Sequence, residues 1–172
     1  MGPKTVAGKP QVGPLAGVAR SALCVFPWEY SFTVCPATDF SGHWRGKAGE
    51  PIVRATLDYL HARGIRRVFL AGLSNGAMGA SALAPRFASS LTGLILISGA
   101  PAAGGNAGLP TLVVHGTEDP IASAAVARAF AARTHARYAG FDGGHFVLLV
   151  RRTETRAVIA DWLMGQIGLQ GL

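Results

Sequence analysis

The sequence predicts an α/β fold, a mostly parallel sheet of about five strands with helices on both faces. Two observations carry that expectation. The runs RVFLA (67–71), LILIS (94–98) and TLVVH (111–115) are continuously apolar rather than alternating, as strands covered on both faces must be. Segments of helical length separate them, so strands and helices alternate along the chain. At 172 residues there is room for one substantial core, and we expect a single domain over 18–172 behind an irregular arm over 1–17.

Taken in order, residues 1–17 carry Gly and Pro at short intervals and no sustained period, which reads as loop. Leu15 to Phe26 is apolar and Ala-rich and would form a short helix that ends before Pro27. Ser31 to Cys35 (SFTVC) reads as a strand stopped by Pro36. A polar and aromatic loop follows, holding Asp39, His43 and Trp44. Pro51 then suits a first helical position, Ile52, Val53, Leu57 and Leu60 make one apolar stripe, and Gly64 supplies a left-handed end.

RVFLA leads through GLSNG into a helix from Asn75 to about Phe87. LILIS is followed by a flexible, glycine-rich loop over 99–108, and TLVVH by an Ala-rich helix from Ile121 to about Thr134 with Val126 and Phe130 inward. Arg137 to Phe141 reads as an edge strand, and Thr153 to about Gln166 as a closing helix with Val158, Ile159, Trp162 and Leu163.

The net charge of +7 raises the question of nucleic acid. Arg63, Arg66 and Arg67 form one short patch and Arg151, Arg152 and Arg156 another, with no aromatic platform interleaved, so a solvated basic surface is expected and no nucleic-acid partner. Cys24 and Cys35 lack disulfide or metal-ligand spacing and read as small core residues, which leaves no metal or cofactor to predict. The amino terminus makes a poor signal peptide and no apolar run is long enough to cross a bilayer, so the expected location is cytoplasmic, away from membranes.

Chemistry concentrates at Gly72-Leu73-Ser74-Asn75-Gly76, between a strand and a helix. A strained turn there would project the Ser74 hydroxyl above the sheet, with glycines on either side allowing close backbone approach, and the Asn75 amide would face developing negative charge as an oxyanion donor. The plainer reading makes Ser74 a helix cap. Asp119 follows TLVVH at the carboxyl end of a parallel strand, where ligands bind in open sheets, though Asp before Pro120 is also a good helix start. His145 lies on the turn Gly143-Gly144-His145-Phe146 after the last strand. Together the three follow separate strands in the order Ser, acid, His, the arrangement of a hydrolytic triad.

GLSNGAMGA, LVVHGTEDP and GGHF together resemble the nucleophile, acid and histidine segments of the α/β-hydrolase superfamily, and the likeness runs from Ser31 to the end. It implies a three-layer, N-terminally shortened α/β-hydrolase-like fold. The implied activity is a serine carboxylic-ester hydrolase, acting on a small ester or acyl compound through an acyl-enzyme without a cofactor. Glu118 and Asp142 are rival acids ranked below Asp119, and His43 and Trp44 are candidates for lining the substrate pocket.

Members of the superfamily usually begin with further strands, one of which supplies a second oxyanion donor. No such strand is legible here, and Gly8 or Gly13 would be the replacements. Either SFTVC pairs directly on RVFLA, or a sheet edge is open to a second copy of the chain. A shortened, non-catalytic hydrolase domain is the alternative reading.

Overall fold

The computed structural model describes Trp44 and residues 49–168. The expected arm over 1–17, the helix over 15–26, the SFTVC strand, both cysteines and His43 lie outside the described residues.

Four strands, β1 (Phe69–Leu73), β2 (Gly93–Ile97), β3 (Thr111–Gly116) and β4 (Arg137–Phe141), form one sheet in the order β1-β2-β3-β4. Every neighbouring pair is parallel, with Leu73 beside Ile97, Ile97 beside Val114, and Gly116 beside Phe141. All four strands therefore end at one edge. The connections run through α2 (Asn75–Phe87) and α3 (Ala124–Thr134), while α1 (Gly49–His61) precedes the sheet, and α4 (Val147–Val150) and α5 (Arg152–Gln166) follow it.

The apolar runs work as the sequence implies. On one face Leu94 and Leu96 of β2 and Val113 of β3 meet α1, α2 and α3 through Val53, Leu57, Leu83, Ala127 and Phe130. On the other, Ile95, Ile97, Leu112 and Val114 meet Ile159 and Trp162 of α5. Every residue of β2 and β3 is buried, whereas β1 and β4 are partly exposed, in keeping with their places at the two ends of the four-strand order. Three layers result, with no helix among the described residues long and apolar enough to cross a membrane.

Two boundaries differ from expectation for local reasons. α3 starts at Ala124 rather than Ile121, because the Asp119 side chain takes up the amides of Ile121 and Ala122 and the Ser123 hydroxyl accepts from Val126 instead. α4 was not expected; its four residues are too few to show a helical period.

The glycine-rich stretch after β2 is anchored at Asn106. Asn106 is buried, and its side-chain amide donates to the carbonyls of Leu109 and Thr134 while its oxygen accepts from the Gly108 amide. One side chain thus ties the entry of β3 to the end of α3. Replacing Asn106 with Leu removes these bonds, leaving the Leu109 carbonyl only the Thr111 hydroxyl, and is expected to cost about 1–3 kcal/mol, read as a lower urea midpoint.

Candidate active site

Ser74 stands between β1 and α2 with φ 55° and ψ −115°, a conformation that non-glycine residues rarely hold. The turn is held from several sides. The Ser74 amide donates to the Ile97 carbonyl at the end of β2, and the Ser74 carbonyl accepts from Ala77 and Met78 in the first turn of α2. A Cβ on Gly72 would collide with the backbone of Gly76 and Ala77, so the strand and helix can pack this tightly only with glycine at 72. Gly76 is different: a Cβ there meets no described atom within 4 Å, so the expected steric need at both glycines holds only for the first.

The Ser74 side chain makes no capping bond to α2, so the plainer helix-cap reading does not describe it. Its hydroxyl lies 2.8 Å from Nε2 of His145 instead. His145 follows β4 on a loop pressed against the end of β3: the amides of Thr117 and Glu118 donate to the carbonyls of Phe141 and Gly143. A Cβ on Gly116 would collide with the carbonyls of Gly143 and Gly144, so this contact too requires glycine. The ring of His145 is nearly buried, and the exposed Phe146 sets its own ring edge-on to it.

Nδ1 of His145 lies 2.8 Å from Oδ2 of Asp119. A carboxylate only accepts, so Nδ1 carries the proton and donates, leaving Nε2 to accept from the Ser74 hydroxyl. Asp119 is itself fixed, its Oδ1 accepting from the amides of Ile121 at 2.8 Å and Ala122 at 2.9 Å. Its side chain is fully buried. Burial raises the carboxyl's pKa, but the Ala122 amide, the His145 ring and the Ile121 amide outweigh it, and the net displacement is downward. Asp119 therefore both ends the β3 turn and orients the imidazole.

The geometry thus brings Ser74, His145 and Asp119 into one hydrogen-bonded line. Glu118 and Asp142, the rival acids, are exposed. Asn75 opens α2 directly after Ser74, with its amide at the positive end of the helix. Trp44 is half-buried against the cluster of α1 and α2, where it packs on Gly79. No group of three or more His, Cys, Asp or Glu among the described residues could hold a metal ion.

One residue beside the acid was not singled out from the sequence. His115 closes β3 with its side chain wholly buried, Nε2 3.0 Å from the Ala122 carbonyl and 3.4 Å from Oδ2 of Asp119. The available signal was a histidine closing an apolar run, LVVH.

No protein-family model and no curated protein matches the sequence, but solved structures do. A thermophilic esterase from Thermogutta terrifontis aligns with a TM-score of 0.62 over 78% of this chain and 75% of its own, at 15% identity. An α/β hydrolase enzyme from the metagenome of lagoon sediments at Mar Chica, Morocco, gives 0.60 over 71% and 73%, at 14% identity. The enol-lactonase of Burkholderia xenovorans gives 0.56 over 67% and 72%, at 19% identity. The fold is that of the α/β hydrolases.

Two predictions follow from the geometry of the turn and of the acid. Gly72→Ala, which drives a Cβ into backbone, is expected to cost about 1–3 kcal/mol or more, while Gly76→Ala leaves stability unchanged or raises it by up to about 1 kcal/mol; thermal melts of the two variants decide the contrast. Because the folded pKa of Asp119 lies below 3.8, its stabilising contribution is complete above that pH and is lost as the pH falls through the lower folded value. The stability gap between wild type and Asp119→Asn should therefore be full in neutral solution and close in strong acid, as urea titrations across that range would show.

Proposed function

We propose that the chain is a serine hydrolase acting on a carboxylic ester or a related acyl compound. The observation that carries this reading is the line Ser74 Oγ, His145 Nε2, His145 Nδ1, Asp119 Oδ2, with both contacts at 2.8 Å. The fold supports it, since solved structures that share it include an esterase and an enol-lactonase.

The chemistry follows from the tautomer. Nε2 of His145 removes the Ser74 proton as Oγ bonds to the substrate carbonyl carbon, and the carbonyl oxygen takes the negative charge. Asp119, ionised and buried, stabilises the imidazolium that forms. The Asn75 amide, at the positive end of α2, is the proposed oxyanion donor. Collapse of the tetrahedral intermediate breaks the bond to the leaving alkoxide, which takes the proton from His145. Water, deprotonated by the same nitrogen, then attacks the acyl-enzyme, releases the acid and restores Ser74.

The strained backbone at Ser74 suits this role. A residue held in a sparsely populated region costs on the order of 1–3 kcal/mol, and such costs gather where a side chain must be aimed. The pocket assignment for His43 and Trp44 and the closure of the sheet edge by a second copy remain parts of this proposal rather than supports for it.

A fluorophosphonate probe tests the reading directly. The wild-type chain should be labelled on Ser74, Ser74→Ala should not be labelled, and turnover of a p-nitrophenyl ester should fall by roughly 10³-fold or more in that variant. A folded wild type that resists labelling would return the chain to the non-catalytic reading.

A further inference from the structure

We propose that His115 is a positioning residue for Asp119, locking the turn that presents the carboxylate to His145. The Ala122 carbonyl can only accept, so the Nε2 of His115 that lies 3.0 Å from it carries a proton and donates. The same nitrogen lies 3.4 Å from Oδ2 of Asp119, the oxygen that receives His145. Ala122 completes the circuit, because its amide donates to Oδ1 of Asp119 at 2.9 Å. Three residues within one short segment therefore hold one another: imidazole to carbonyl, amide to carboxylate, and imidazole beside carboxylate.

Packing alone does not account for this side chain. Its Nδ1 is buried with no hydrogen-bond partner among the described residues, a cost that a leucine or phenylalanine filling the same space would not carry. The ring is fully enclosed, and among the described residues it makes its polar contacts through Nε2. Without that donor the Ala122 carbonyl loses its partner, the 119–122 turn is held only by the bonds of Asp119 itself, and the carboxylate loses the imidazole nitrogen beside Oδ2.

The consequence for turnover rests on the hydrolase reading above; the consequence for the His145–Asp119 contact does not. Two readouts keep them apart. In proton NMR of the full chain, the His145 Nδ1–H facing Asp119 is assigned by its loss in Asp119→Ala. It is expected to broaden or shift in His115→Leu and to return towards the wild-type position in His115→Gln, whose side-chain amide restores an N–H donor. In kinetics, His115→Leu is expected to lower kcat by roughly ten- to a hundredfold with little change in KM, to be rescued by Gln, and to have no further effect when Asp119 is already Ala. Should His115→Leu fail to fold, His115→Asn replaces it, since the shorter amide cannot reach the Ala122 carbonyl. A folded Leu or Asn variant with an unchanged His145 resonance overturns the proposal, as does a kinetic loss that persists undiminished in the Asp119→Ala background. A shifted resonance in a chain that the fluorophosphonate does not label leaves the positioning role standing and removes only the hydrolase reading.

Discussion

A parallel sheet sends the carboxyl end of every strand to the same edge, and the geometry of the candidate site depends on that constraint. Ser74 follows β1, His115 and Asp119 lie at and after the end of β3, and His145 follows β4. Registers that pair Leu73 with Ile97, Ile97 with Val114, and Gly116 with Phe141 bring residues far apart in sequence to one line. Antiparallel connection would have sent alternate ends to opposite edges.

Bringing strand ends to one edge is not enough to make 2.8 Å contacts, and the last few ångströms are set by missing side chains. Gly72 lets the start of α2 fold back on β1, and Gly116 lets the histidine loop lie directly on the end of β3. Both sites oppose backbone to backbone, where no rotamer change could relieve a Cβ. Close packing at the edge therefore rests on two glycines, while the buried apolar layers on either face of β2 and β3 hold the sheet that carries them.

Much of this was legible in the chain, and the reasons for the exceptions are physical. Continuous apolar runs located β2 and β3, and Arg137–Phe141 was placed to the residue, because burial on both faces and turn residues at the ends leave strong local marks. Ser74, Asp119 and His145 were legible as a set, since each follows a strand. α4 was not, because four residues carry no period. The start of α3 was misplaced because Asp119 serves a turn and the imidazole at once, and only the three-dimensional partner reveals the second duty. His115 went unremarked because a histidine at the end of an apolar strand has no local signature of what it faces.

The same edge is also where the chain departs most from ordinary local rules. Of the four described non-glycine residues with positive φ, Ala107 and His135 lie in turns away from Ser74, Asp119 and His145, while Ser74 and Ser98 directly follow β1 and β2. Of the three buried side-chain atoms without a hydrogen-bond partner among the described residues, Ser98 Oγ and His115 Nδ1 belong to this edge, and the third, Tyr138 Oη, lies on β4 beside Val113. Strain and unmet polar atoms work against folding, so a sequence selected for stability alone would have scattered or removed them. Their presence beside one hydroxyl, one imidazole and one carboxylate separates this edge from the apolar layers beneath it, independently of any motif.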